Sequence, residues 1–372
     1  MNASASFQPD RRETDRSSKL AQAKRIADAV LYEGYILYPY RPSAIKNRQR
    51  WTFGGLYPPA YSQAQGEPDS ASTLTECLME ATRPGAPGAT LNLKVRFLHL
   101  VQRVVGELAS PVDRLPARSA LNFRPVASLQ VGGHRYYTWQ EAVEREVSLD
   151  GLTLADLLSQ PCRLDFAFPA TEQIDPLRSP EGEIVGVILR QQRAINGLVE
   201  VTGAAPPPLF KLSLRVQNLT PLAEAAQKSR DEALLQSFVS THSILSLENG
   251  RFLSLLDPPA EHQAVAAACR NRGTYPVLVG AEGDQDMLLS SPIILYDYPQ
   301  LAPESPGDLF DGTEIDELLT LRILTLTDEE KAEMRQVDEQ TRALLDRTEA
   351  LPAEELMRLH GTIRSLRTLT GE

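Results

Sequence analysis

Two hydrophobic periods divide this chain. In Leu91-Asn-Leu-Lys-Val-Arg-Phe97 apolar and polar residues alternate strictly, the pattern of a half-buried strand. Phe210 to Leu219 alternates in the same way. Shorter strands are expected at Leu129–Val131, Arg135–Trp139, Glu144–Leu149, Leu164–Phe168, Ile184–Arg190, Leu198–Thr202, Ser243–Leu247, Phe252–Leu255, Val277–Val279 and Ile293–Tyr296. Gly132-Gly133 and Asn249-Gly250 read as hairpin turns. Strands this frequent, punctuated by Gly and Pro, predict an antiparallel sandwich or barrel. A period of three to four marks a helix at Leu20–Leu31, through Leu20, Ala23, Ala27, Val30 and Leu31. One or two helical turns are expected at Leu74–Ala81, and inserted helices at Leu222–Ser237 and Glu261–Arg270.

Past Pro299 the helical period returns. Thr327 with Glu330 fits a capping box opening a helix to about Ala350, with Met334, Val337, Leu344 and Leu345 on one face. Pro352 suits the first turn of a second helix carrying Leu356, Leu359, Ile363 and Leu366. The expected fold class is therefore α+β: an antiparallel β-sandwich-like centre, an N-terminal helix and aromatic segment, and a C-terminal αα-hairpin. The divisions are a disordered tail at 1–18, the helix and aromatic/Arg segment at 19–90, a β-rich core at 91–298, and an acidic linker with the hairpin at 299–372.

Between helix and sandwich, residues 31–59 pack Tyr32, Tyr35, Tyr38, Tyr40, Trp51, Phe53 and Tyr57 around Arg41, Lys46, Arg48 and Arg50. Aromatic and arginine side chains bring large contact area with a polar handle, as binding surfaces do. Tyr38, Tyr40, Arg41, Arg48, Arg50 and Trp51 are the candidate partner-binding residues. The other reading, and the weightier one, is that Tyr35, Tyr38 and Ile36-Leu37 simply wrap the sandwich core, with Arg48 and Arg50 solvated.

The net charge of −11 argues against nucleic acid as the main partner, since phosphate binding needs clustered cations. The region from Leu301 onward holds 17 acidic and 8 basic residues, so it carries −9 of that charge. Six carboxylates fall between Glu304 and Glu317, without calcium-loop spacing. No apolar run approaches the roughly 18 residues of a membrane span, and the polar start lacks a signal-like apolar region. The three cysteines, Cys77, Cys162 and Cys269, are far apart and fit a reducing cytoplasm. No phosphate loop, His-Glu-x-x-His or Gly-x-Ser-x-Gly motif occurs, and the five histidines are isolated. No catalytic residue, metal site or cofactor is therefore expected. An enzyme site assembled from distant residues, such as Cys269 with His242 or His262, is the rival reading, as is a small-ligand or metal carrier.

Two long phrases carry a resemblance: LYEGYILYPYRPSAIKNRQRW at 31–51, and SPIILYDYPQLAPESPGDLFDGTEIDELLTLRILTLTDEE at 291–330. Both resemble a family of uncharacterised bacterial proteins encoded beside oxygen-tolerant nickel–iron uptake hydrogenases. The likeness runs from the first helix to the start of the last hairpin. It implies an accessory role in assembling, maturing or scaffolding a hydrogenase, with a hydrogenase subunit or maturation factor as partner. It brings no catalytic motif, and the hydrogenase cysteine pairs are absent.

Overall fold

The computed structural model describes residues 11–31, 54–65, 70–81, 88–204, 209–293, 295–300, 323–324, 326–335, 342, 345–346 and 348–350. Along the chain come α1 (Arg11–Leu31), α2 (Pro59–Gln65), β1 (Ser72–Ala81), β2 (Thr90–Val112), β3 (Phe123–Val126), β4 (Ser128–Val131), β5 (His134–Tyr137) and β6 (Trp139–Thr153). There follow α3 (Leu154–Ser159), β7 (Cys162–Phe168), β8 (Thr171–Arg178), β9 (Ile184–Gln192), β10 (Ile195–Ala204), β11 (Leu209–Asn218) and α4 (Arg230–Leu234). The last are β12 (Val239–Glu248), β13 (Gly250–Leu253), α5 (Gln263–Ala267), β14 (Tyr275–Leu278), β15 (Met287–Ser291) and α6 (Asp328–Arg335).

The strands form an antiparallel sandwich. One sheet has the order β13-β1-β11-β10-β7, and the other β14-β15-β12-β2-β9-β8, with β3 and β6 also paired to β2. Leu91, Leu93, Val95 and Phe97 of β2 face Leu212, Leu214 and Val216 of β11 and Val199 and Val201 of β10 in one buried cluster. Phe97 stacks on Phe238 with ring centroids 4.6 Å apart, and Phe166 and Phe168 lie at 5.9 and 6.1 Å. These offset and tilted contacts are what aromatic quadrupoles favour.

β2 outruns the sandwich. Residues 90–103 pair with β6 on one edge while 90–98 pair with β12 on the other; further along, 102–112 pair with β9 and 105–108 with β3. Two half-sheets therefore share one backbone. The β4–β5 hairpin turns at Gly132 and Gly133, both at positive φ as a two-residue primed turn requires. Its Val131 and Leu129 pack with Val105, Leu177 and Ile188 at the far end of the same sheet.

The outer face of the larger sheet is covered by α1. Ala23, Ile26 and Ala27 pack on Ile244, Val277, Met287 and Leu289. Their three- and four-residue spacing makes one apolar stripe. Polar clamps flank it: Lys19 Nζ lies 3.0 Å from Asp284 and 3.3 Å from Asp286, and Arg96, only 3% exposed, donates to Asp28 at 2.5 Å and Glu144 at 3.3 Å. Helix α1 starts at Arg11, so it takes in residues 11–18 of the expected tail.

Several expectations are corrected. Leu74–Ala81 is strand β1 rather than helical turns. Its inner side meets the core through Cys77 and Met79, and its outer side packs Leu78 on Leu253 and Ala266, so no two-residue alternation shows in the sequence. Asn249-Gly250 is not a hairpin: β12 belongs to the larger sheet and β13 to the smaller, and Asn249 at φ 57 makes the corner between them. Leu222–Ser237 shrinks to a 3-10 turn and α4, and the described part of Ile293–Tyr296 is not a strand. Strand β15 precedes it instead. The capping box is present, with Thr327 N donating to Glu330 at 2.9 Å and Glu330 N to Thr327 Oγ1 at 3.2 Å. The helix does not run straight to Ala350, however. A straight helix would separate Lys331 from Glu349 by about 27 Å, yet they pair at 3.1 Å, and Arg335 bonds Asp346 at 3.3 Å. The chain reverses between these helical pieces, and Ile323, Met334 and Leu345 share a buried cluster. The expected second helix, from Pro352, lies outside the described residues.

Phe97→Ala should lower stability by about 3–5 kcal/mol, because the cavity it leaves is walled by two sheets that cannot both collapse. Urea titration checks this. A loss under about 1 kcal/mol would contradict the packing described here.

Candidate functional site

Tyr38, Tyr40, Arg41, Arg48, Arg50 and Trp51 all lie outside the described residues. What the structure does place is the chain on either side of them. Leu31, the last residue of α1, is 1% exposed and shares one buried cluster with Tyr57, Tyr61, Leu98, Leu100, Leu234 and Val239. Leu31 and Tyr57, on either side of residues 32–53, thus share one buried cluster.

The return is stitched down at several points. Leu56 N donates to Phe238 O at 2.8 Å and Phe238 N to Leu56 O at 3.1 Å. Asn218 Nδ2 donates to Leu56 O and to Gln236 O, both at 2.8 Å. Just beyond, β12 interrupts its ladder with β2 by an irregularity between Val239 and His242, where Ser240 takes φ 52. Thr241 N is thereby free to donate to Gly54 O at 3.1 Å. Gly54 has φ 51, and a Cβ there would meet Pro292 at 2.7 Å, so only glycine fits.

Beside this seam lies a cavity of about 350 Å³. Its wall includes Gly54, Gly55, Tyr57, Ser72, Gly273 and Arg230. Tyr57 stacks on Tyr61 at 5.4 Å, and the Arg230 guanidinium lies 5.7 Å from the Tyr57 ring, a cation–π arrangement. A capping box starts α4 at this arginine: Glu232 N donates to Ser229 Oγ, and Ser229 N to the Glu232 carboxylate. The Ser229 backbone, Lys228 and the Ser229 hydroxyl pull the Glu232 carboxyl down to about 2.

A second cleft, about 300 Å³, opens where β2 outruns the smaller sheet. The inner-facing positions there turn polar. Arg103 donates to Glu141 at 3.2 Å, Arg190 to Glu141 at 2.7 Å and to Asp175, and Arg145 to Gln192 at 2.8 Å. Arg145 also covers Phe168 at 4.5 Å. The carboxylates of this floor are thus matched by arginines, which neutralises the cleft.

The scattered groups considered as chemistry are placed apart. His242 is fully buried, with Nδ1 against Ser240 O at 2.9 Å. Burial, with Arg96 adding to it, lowers its pKa to about 4 against the Ser240 carbonyl and Glu146. His99 is also lowered to about 4, by burial and the Arg145 charge, with the Arg193 backbone opposing. His262 contacts Glu80 at 3.2 Å, and Cys269 Sγ contacts Val265 O at 3.7 Å, so neither histidine activates that thiol. Burial raises the Cys269 and Cys77 thiols, which keeps them protonated. Glu76 is buried too, but the Arg270 N–H, Lys211 and Ser213 outweigh desolvation and hold its carboxyl low. Among the described residues, no group of three His, Cys, Asp or Glu is arranged to hold a metal ion. No helix among them is long and apolar enough to cross a membrane.

No family model matches the chain, and no curated protein or solved structure is significantly similar to it. Its class is therefore set by fold and site alone: an antiparallel β-sandwich, clamped by one helix, with a stitched seam beside a small arginine- and tyrosine-walled cavity.

Two neutral buried histidines give a definite pH signature. The unfolded chain takes up protons near pH 6.5, while the folded one resists to about pH 4. Stability is therefore full above pH 6.5 and falls as pH drops toward 4, by up to ~1.4 kcal/mol per pH unit for each histidine. Thermal melts between pH 8 and 4.5 should show this slope. His242→Gln should flatten it by about half. A wild-type slope of zero over that range would contradict the burial of both rings.

Proposed function

We propose that this chain is a non-catalytic accessory protein that binds another protein through the segment containing Tyr38, Tyr40, Arg41, Arg48, Arg50 and Trp51. One observation carries the reading: the chain leaves for this segment and returns from it at a single buried cluster, Leu31 with Tyr57. Pinning both ends lowers the entropy lost when a partner orders the chain between them. The Arg230–Tyr57–Tyr61 stack brings the same aromatic and cationic chemistry to the point where the chain returns.

The setting proposed is the assembly, maturation or scaffolding of a nickel–iron hydrogenase in the cytoplasm, with a hydrogenase subunit or maturation factor as partner. The long phrases at 31–51 and 291–330 support it. The C-terminal helical hairpin, in the acidic region, is proposed as a second contact for a basic surface, sensitive to salt. A catalytic or metal-carrying role draws less support, since neither His242 nor His262 reaches Cys269 and no group of three metal-ligating residues forms among the described residues.

Pull-downs of the full chain against purified hydrogenase subunits and maturation factors test this. Wild type should retain one of them. Arg41→Ala and Trp51→Ala should each weaken retention by at least about tenfold, the scale of a hot-spot truncation, with melting points unchanged. Retention of none of these proteins, or normal retention by both variants, would overturn the proposal.

A further inference from the structure

Two strands border one flank of the sandwich. Among the described residues β6 pairs only with β2, and β7 only with β10. Such edges offer unpaired backbone groups to any passing strand and are normally blocked by charge. The two differ in what they present to a second copy of themselves.

β6 repels itself. Its outward-facing positions include Glu144 and Glu146, opposite Leu98 and Arg96 of β2. Antiparallel self-pairing centred on Glu144, Arg145 or Glu146 sets glutamate against glutamate in every case. Like charges directly opposite destabilise a sheet.

β7 does the reverse. Its alternation is strict: Arg163, Asp165 and Ala167 are exposed, while Cys162, Leu164, Phe166 and Phe168 are half-buried. Cys162, Phe166 and Phe168 pack against the main core. Pairing of two β7 strands centred on Leu164 sets Arg163 opposite Asp165 twice, about one dyad. On the other face it sets Leu164 against Leu164 and Cys162 against Phe166 twice. The apolar row of one core then continues into the next.

The existing contacts leave both charges ready. Arg163 is 65% exposed at its side chain and donates through Nε to Glu200 on β10. Asp165 makes no hydrogen bond or ion pair among the described residues.

From this self-complementarity we infer that β7 is a homodimer edge: two copies join their five-stranded sheets across a dyad at Leu164, with reciprocal Arg163–Asp165 pairs. The edge is seven residues long, so the dimer is weak and concentration-dependent rather than obligate. This inference and the proposed heterologous partner do not depend on each other.

A charge swap tests it with the full-length chain in sedimentation equilibrium. Wild type should show a reversible monomer–dimer equilibrium. Asp165→Arg and Arg163→Asp should each weaken it about tenfold or more, since two attractive cross-strand pairs become repulsive. An equimolar mixture of the two variants restores both pairs, and should recover dimers of wild-type affinity that native mass spectrometry identifies as mixed. Asp165 has no described contact to lose, so Asp165→Arg remains a fair test even if Arg163→Asp disturbs folding through Glu200. A wild type monomeric up to roughly 0.5 mM, an Asp165→Arg variant that dimerises like wild type, or two well-folded variants that stay monomeric when mixed would each overturn the inference.

Discussion

Strand β2 pairs with four others, and the remaining architecture hangs from that sharing. On one edge it carries β12 and then β9; on the other, β6 and then β3. Its first half turns Leu91, Leu93, Val95 and Phe97 into the closed sandwich. Its second half carries the same face past the smaller sheet, where apolar residues would meet water. There the face holds Arg103, matched to Glu141, before Val105 meets the β4–β5 hairpin. One backbone thus runs from dry core to ion-paired shelf to a second small core. Buried ion pairs of this kind add little net stability, but breaking one partner leaves a costly charge. They fix which residues face each other rather than holding the sheet together.

The opposite face of β2 seats both ends of the segment proposed to bind a partner. Arg96 reaches Asp28 of α1, and Leu98 and Leu100 reach Leu31 and Tyr57. Helix α1 is thereby seated on the sheet, and its last residue is delivered to the place where Gly54 to Tyr57 return. The irregularity at Ser240 releases the Thr241 amide, one of the groups that hold the return in place. The positions of Leu31 and Tyr57 are in this sense a consequence of how β2 is covered.

The sequence was most readable where one face of a strand is wet. Leu91–Phe97, Phe210–Leu219 and Leu164–Phe168 alternate because one side chain in two meets solvent or a polar row. It was least readable where both faces are dry. Every residue of β15, Met287–Ser291, is buried, with Leu288 to the core and Met287 and Leu289 to α1, so no period survives. β1 was misread as helical for the same reason. Asn249-Gly250 was recognisable as a turn, but turn chemistry does not say whether the next strand stays in the sheet. For the candidate site, Tyr57 stood out as the end of an aromatic run, while Arg230 and Asn218 did not. They are distant in sequence and reach the seam only because strands β11 and β12 bring them there.

Hydrogen exchange across β2 in the full-length protein tests the shared-strand account most directly. If one backbone unites both half-sheets, amides from 91 to 107 exchange last and together, only through global unfolding. Early exchange at 102–107, with 91–98 still protected, would mean two independently opening units and would contradict it.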